Sequence, residues 1–319
     1  MRAPDFWTKT DTGSRALVTA LTPLGWLYGA SVEWKAAHAH PFRAQAKVIC
    51  VGNLTVGGTG KTPVAVAIAD ILAARGRKVC FLSRGYGGRT KGPLRVSASA
   101  AATEVGDEPL LLARQAPVIV AHDRSEGAKL ADADGIDTIV MDDGHQNFSL
   151  KKDLSFVVVD QANGFGNGRV LPAGPLREPV AQGLRRADAV IIVGDGKAPI
   201  PDLPIPVLRA RLITPEIPEL KGIRVAAFAG IGNPEKFFAA LPRLGVEIAD
   251  TRAFDDHHVY TQSEVARLKA KAKSLGAQLV TTEKDYVRLT QTEREGITAI
   301  PVRAVFDDPA ALSRLLDRL

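Results

Sequence analysis

Residues 48–72 read VICVGNLTVGGTGKTPVAVAIADIL, an apolar β-branched run, then a glycine-rich turn, then a stretch with helical spacing. A chain with this order must carry a strand that feeds the N-terminus of a helix through a turn only small residues can make. Glycines let successive backbone N–H groups converge on one point, and the helix N-terminus adds its positive end, so the turn is shaped for phosphate. The candidate nucleotide-binding residues are Thr55, Val56, Gly57, Gly58, Thr59, Gly60, Lys61 and Thr62. Lys61 is placed to reach the β- and γ-phosphates, and Thr62 to ligate Mg²⁺. Pro63 fits the first helical turn, where no N–H is needed. The strict G-x-x-x-x-G-K-[ST] pattern wants glycine where Thr55 stands, so the loop is closer to a G-G-x-G-K-T variant.

From residue 45 onward short β-branched runs alternate with helical stretches, the rhythm of a parallel sheet covered by helices. Strands are expected at 47–52, 78–83, 117–121, 137–142, 155–160 and 189–194, with helices at 62–75 and 107–115. The proline-rich segment 195–222 reads as a linker with a short extended piece. The rhythm then resumes, with strands at 224–230, 246–254, 278–283 and 297–302 and a last helix from Pro309. At 319 residues two domains are the default. The expected fold is α/β: a P-loop NTPase-type parallel sheet sandwiched by helices (41–210), a smaller C-terminal α/β domain (211–319), and an N-terminal membrane-associating helix (1–40).

That N-terminal segment carries no charge between Arg15 and Glu33. A spanning helix needs ~20 apolar residues, and this run is shorter and interrupted by Pro23, Gly25 and Gly29. A helix lying in the interface suits it better, with Leu17, Leu21, Leu24 and Tyr28 on one face and Trp7, Trp26 and Trp34 as anchors. A helix packed on the protein's own core remains an equal reading. Asp5 and Asp11 spoil the positive region a signal peptide requires. The formal charge is +6, with half the excess in the first 47 residues, which suits an acidic or phosphorylated partner without choosing among them. Only Cys50 and Cys80 are present. They read as inert thiols, and neither has a second Cys or His at zinc-ligand spacing.

DTIVMDDGHQN puts Asp142 and Asp143 at the end of a buried strand, where one of them is expected to enter the Mg²⁺ shell; capping of the following turn is the plain alternative. No [NT]-K-x-D guanine signature occurs, which favours ATP over GTP. Transfer to an alcohol needs a proton acceptor, and Asp107 and His257 are the candidates outside the loop. Asp107 also stands where a helix begins, so capping explains it equally. A soluble ATP-dependent enzyme with another acceptor, or a nucleotide-gated binding module, is compatible with the loop alone.

Taken in order, NLTVGGTGKTP, LSRGYGG, VGDEPLLLA, DDGHQNFSL, LPAGPLREP, FDDHHVY and TTEKD closely resemble the tetraacyldisaccharide 4'-kinase (lipid A 4'-kinase) family, whose phosphate loop has the same G-G-x-G-K-T form. The resemblance implies transfer of the ATP γ-phosphate, with Mg²⁺, to the 4'-hydroxyl of an acylated disaccharide 1-phosphate, giving lipid IVA at the cytoplasmic face of the bacterial inner membrane. It implies a lipid surface as partner, and neither nucleic acid nor an obligate protein partner. By motif match Asp107 is the general base and His257 the residue that orients or tunes it. Lys61 and Thr62 serve ATP and Mg²⁺, and Asp142, Asp143 and Glu178 are the acids near the metal. His257 is chosen over His258 because it directly follows Asp256. Arg84 is a candidate contact for a phosphate group. If Asp107 and His257 act together, the two domains must close, and the hinge is expected around 199–218.

Overall fold

A computed structural model describes residues 4–97, 99–196 and 198–319. In chain order the strands are β1 (Lys47–Gly52), β2 (Val79–Ser83), β3 (Leu94–Arg95), β4 (Val118–Val120), β5 (Thr138–Asp142), β6 (Leu154–Asp160), β7 (Ala189–Val193), β8 (Val207–Ile213), β9 (Arg224–Ala229), β10 (Glu247–Ala253), β11 (Gln278–Thr282), β12 (Ile297–Ile300) and β13 (Arg303–Phe306). The helices are α1 (Thr12–Ala37), α2 (Lys61–Ala74), α3 (Ala102–Val105), α4 (Asp107–Leu112), α5 (Arg124–Ala133), α6 (Val180–Leu184), α7 (Pro234–Ala240), α8 (Gln262–Ser274), α9 (Glu283–Arg288), α10 (Gln291–Arg294) and α11 (Pro309–Leu316).

A nine-stranded sheet runs β13-β8-β7-β6-β1-β5-β2-β4-β3, and a four-stranded sheet runs β10-β9-β11-β12. The large sheet is parallel except at its margins, where β3 pairs antiparallel with β4 and β13 with β8. Its central strands are apolar throughout because helices cover both faces, so neither side chain of an alternating pair meets water. On one face α2 and α11 bury Val64, Ile68, Leu312 and Leu316 against Val51, Val140 and Phe156. On the other, α5 packs Ala128 and Ala131 against Leu82 and Ile139. The small sheet is parallel throughout.

The expected α/β architecture is present, and the partition at residue 211 falls differently. The short extended piece expected within the 195–222 linker is a full strand, Val207–Ile213, pairing with β7 and β13 of the large sheet. The prolines that argued against structure, Pro206 and Pro215, flank β8 and leave its N–H groups intact. After β12 the chain returns to the large sheet as β13 and α11, so the small unit spans about residues 218–302. Chain crosses between the units at 214–217, inside the expected 199–218, and again near Pro301, so any hinge is double. Because Leu312 is fully buried in the large core, Leu312→Ala is expected to destabilise the large unit by about 2–5 kcal/mol. Urea unfolding that shows no fall in midpoint would contradict this seating of the last helix.

α1 is a continuous 26-residue helix despite Pro23. Ser14, Gly25, Gly29 and Val32 are its buried positions. A Cβ at Gly25 would stand 2.8 Å from the Val170 carbonyl oxygen, and one at Gly29 would stand 3.2 Å from the Pro179 ring. The two glycines thus let α1 lie close on the loop that carries Arg177 and Glu178. Leu24, Trp26, Leu27, Tyr28 and Trp34 of the same helix are exposed. Trp7 is not a free anchor: its Nε1 donates to the Pro172 carbonyl. Among the described residues no helix is long and apolar enough to cross a membrane.

Candidate active site

The phosphate loop leaves β1 at the centre of the large sheet and enters α2 at Lys61. Gly57 and Gly60 have φ of 108° and 81°, a region that glycine alone enters without strain. At Gly57 and Gly58 a Cβ would meet nothing within 4 Å, so the main chain there is open to an approaching phosphate. Asn53, fully buried, donates from Nδ2 to Thr59 Oγ1 at 3.3 Å and steadies the turn from beneath.

β5 lies directly beside β1, with Val51 opposite Asp142, and this adjacency carries Asp142 and Asp143 to the loop. Thr62 Oγ1 donates to Asp142 Oδ2 at 3.0 Å. The other Asp142 oxygen, Oδ1, is buried and has no hydrogen-bond partner among the described residues. Burial first, then the charges of Glu108 and Asp143, push the Asp142 carboxyl up to about 7, with Lys61 partly opposing them. An oxygen site of this kind, beside a threonine hydroxyl, fits a hard divalent cation, whose charge would restore the carboxylate. Asp143 is held in the left-handed region at φ 52°. Its oxygens take Arg177 at 2.9 and 3.2 Å, and Lys61 Nζ stands 3.7 Å away. Burial raises the Asp143 carboxyl, but Lys61 and Arg177 outweigh it and leave it below the usual carboxylate range.

Glu178 is placed differently from expectation. It is 1% exposed, with Oε1 accepting from Gln146 Nε2 at 2.8 Å and Oε2 accepting from Arg186. Among the described residues no three His, Cys, Asp or Glu side chains gather as a metal site. The oxygens open to a cation are therefore those of Asp142 and Thr62 beside Asp143, and Glu178 supports the wall through Gln146 and Arg186. His145, from the same DDGHQ stretch, is also not in the cleft. It is fully buried between Gly183 and Ser155, and burial pushes its imidazole down to about 3.

Across the cleft, His257 Nδ1 lies 3.0 Å from Asp107 Oδ2. His258 bonds instead to Glu264 at 3.2 Å and packs tilted against Phe254, ring centroids 4.7 Å apart. Asp107 opens α4 on the large unit and is 6% exposed. His257 follows β10 of the small unit and has φ 58°; with Asp143 it is one of the two non-glycine residues in that region among those described. Such a conformation costs on the order of 1–3 kcal/mol and persists where neighbours enforce it. Here the His257 N–H bonds to the Gly230 carbonyl at 3.1 Å. The contact with Asp107 raises the His257 imidazole against a smaller opposing effect of burial.

Arg84 is exposed and lines the same cleft. Beside it lies Arg124, which the motif reading did not single out. Arg124 is 3% exposed, its Nε lacks a partner among the described residues, and burial with Arg84 nearby pushes it down to about 10. Its place at the start of α5 in a plain HDRSE stretch gives no local signal. Arg177 was legible only as the neighbour of Glu178 in LPAGPLREP. The cleft that joins the phosphate loop, the two arginines, His257 and the inner end of α1 has a volume of about 2720 Å³. Ordinary ligand pockets are roughly 300–1,000 Å³, so there is room for a nucleotide and a large acceptor together.

A phosphate loop on a central parallel strand, acids on the neighbouring strand and a carboxylate–imidazole pair opposite define a P-loop phosphotransferase. The sequence profile of the family described as tetraacyldisaccharide-1-P 4'-kinase matches residues 17–319. A tetraacyldisaccharide 4'-kinase of Rhodospirillum rubrum is 48% identical over 328 residues, spanning 100% of this chain and 98% of the relative. One of Maricaulis maris is 49% identical over 328 residues, spanning 99% and 96%. A crystal structure of LpxK from Aquifex aeolicus in complex with ATP superposes with a TM-score of 0.79 at 29% identity, covering 95% of this chain and 99% of that one. The chain belongs to the tetraacyldisaccharide-1-P 4'-kinase family, a family of ATP-dependent kinases. Membership sets aside the binding module and the soluble enzyme with another acceptor.

Proposed function

We propose that the protein transfers the γ-phosphate of ATP to the 4'-hydroxyl of a tetraacylated disaccharide 1-phosphate, forming lipid IVA. The observation that carries the assignment of roles is the Asp107–His257 contact from two separate units, with His257 and Glu108, the neighbour of Asp107, lining the same cleft as the phosphate loop. The main-chain amides of residues 57–62 and Lys61 hold the triphosphate. Thr62 and Asp142, with Asp143, would hold Mg²⁺, which supplies charge neutralisation on the phosphate oxygens. Asp107 accepts the proton of the 4'-hydroxyl as its oxygen bonds to the γ-phosphorus, and the bond to the β–γ bridging oxygen breaks to release ADP. His257 orients Asp107. Arg84 contacts a phosphate group of the substrates.

The exposed Trp26, Leu27 and Trp34 of α1 suit insertion at a lipid headgroup boundary, leaving acyl chains in the bilayer while the sugar enters the cleft. These exposed residues support a location at the cytoplasmic face of the inner membrane, where ATP is available. The test is incubation with Mg·ATP and the disaccharide 1-phosphate in vesicles, with mass spectrometry of the lipid. One added phosphate on the distal sugar is expected. A Trp26→Ser/Leu27→Ser variant should lose turnover on vesicles and keep it in detergent micelles. No phosphorylated product from the wild-type chain would reject the assignment.

A further inference from the structure

Arg288 lies at the end of α9 in the small unit, and its side chain is 7% exposed. Its guanidinium reaches two carboxylates at once. Nε and Nη2 donate to Asp107 Oδ2 at 3.0 and 2.6 Å, while Nη1 donates to Asp285 Oδ1 at 2.8 Å and to the Gly230 carbonyl at 2.7 Å. Asp285 is fully buried and is fixed in turn by the Tyr260 hydroxyl, the Gly230 N–H and the Thr282 hydroxyl. The fork therefore sits on a rigid platform of the small unit and grips a residue of the large one. A planar guanidinium is suited to such a bridge because its donors are pre-set in direction.

Asp107 Oδ2 thus accepts from His257 Nδ1 and from two nitrogens of Arg288, whereas Oδ1 accepts only from the Glu108 N–H at 3.0 Å. One oxygen is saturated and the other keeps a free lone pair. Resting on the kinase reading above, we propose that Arg288 is a positioning residue that couples closure of the two units to readiness of the base: it locks Asp107 by Oδ2 and leaves Oδ1 as the oxygen that takes the acceptor's proton. The same carbonyl of Gly230 that receives Arg288 receives the His257 N–H, so fork and imidazole are set by one loop and move together.

The groups facing Asp107 are Glu108 on its own helix, Asp256 and His257 after β10, and Lys284, Asp285 and Arg288 on α9, with the Tyr86 ring against His257. Burial works to raise the Asp107 carboxyl, but the His257 hydrogen bond and the Arg288 charge outweigh it and hold the group well below the usual carboxylate range. Asp107 must be ionised to accept a proton, so activity falls as pH drops through its pKa. Removing Arg288 moves that acidic limb to higher pH.

The test compares wild type, Arg288→Gln, Arg288→Lys and Asp107→Ala in kcat, in nucleotide affinity and in the pH profile of kcat. For Arg288→Gln we expect kcat to fall on the order of 10²-fold, as displacement of a reacting group by about an ångström does, with nucleotide affinity unchanged and the acidic limb shifted upward. Arg288→Lys keeps the charge without the fork, so kcat should fall while the limb stays near its wild-type position; this variant carries the test if the glutamine protein does not fold. Loss of kcat in Arg288→Gln with an unmoved limb, or wild-type kcat in either variant, would overturn the proposal. Wild-type turnover in Asp107→Ala would instead overturn the kinase assignment of Asp107 on which it rests.

Discussion

Lys61→Ala is expected to reduce turnover on the order of 10²–10³-fold, the scale set by removing one preorganised charge from a transition state. Lys61 is the first residue of α2, and its ammonium stands 3.7 Å from Asp143 Oδ1 with 12% of the side chain exposed. The carboxylate holds the largely enclosed lysine at the loop by a long 3.7 Å contact, so a triphosphate tail can draw it away at little cost. Charge develops on the equatorial oxygens during transfer, and Lys61 is the cation nearest the loop amides that face them. Its removal also strips the main opposing charge from Asp142, whose carboxyl is already pushed up to about 7 by burial and by neighbouring acids. The lysine-free protein should therefore need more Mg²⁺ as well as turn over slowly. ADP release measured across a Mg²⁺ titration checks both effects, with thermal unfolding as the control for folding. Turnover at the wild-type rate would remove the loop from the chemistry.

How far the site can be read from sequence follows from the range of the interactions that build it. The turn from β1 to α2 is local: glycine spacing, the lysine and the strand before it lie within 25 residues, and the structure has each of them where the pattern puts it. Asp142 follows because parallel β5 pairs next to β1, a rule of the fold class. What escaped were the late additions to the large sheet and the contacts made across the two units. β8 alternates clearly, with Leu208 and Ala210 buried between exposed neighbours, but prolines crowd both ends, although none falls inside it, and they drew the reading toward a linker. The return of β13 and α11 to the large sheet has no local signature, since an antiparallel edge strand after a parallel sheet looks like one more strand of that sheet.

Arg288 illustrates the harder limit. In TTEKDYVRL it reads as a basic residue closing a short helix, where the helix dipole alone accounts for it. Only the approach of Asp107, 181 positions away, reveals the fork. Glu178 is the converse case, a residue the motif singles out. Motif resemblance groups it with the acids near the metal, and the structure adds that its oxygens accept from Gln146, 32 positions away, and from Arg186, contacts that residue spacing does not describe.

The Asp107 and His257 variants should fail together. Asp107→Ala is expected to lower kcat by on the order of 10²–10⁴-fold, the usual contribution of a general base. It also leaves Arg288 with Asp285 as its remaining carboxylate, so Asp107→Asn, which keeps a hydrogen-bond acceptor for the fork, separates loss of basicity from loss of the clasp. His257→Ala leaves Asp107 held by Arg288 at Oδ2 and by the Glu108 N–H at Oδ1, and its loss should be smaller. If the imidazole acts through the carboxylate, then once Asp107 is gone it has nothing to orient, and the double variant should be no slower than Asp107→Ala. His257 is 43% exposed at its side chain while Asp107 is nearly enclosed, so the ring can also reach the acceptor directly through Nε2. Independent action of that kind would make the two losses multiply. A double-mutant cycle in kcat at saturating Mg·ATP distinguishes the cases, and multiplicative losses would end the description of Asp107 and His257 as one unit.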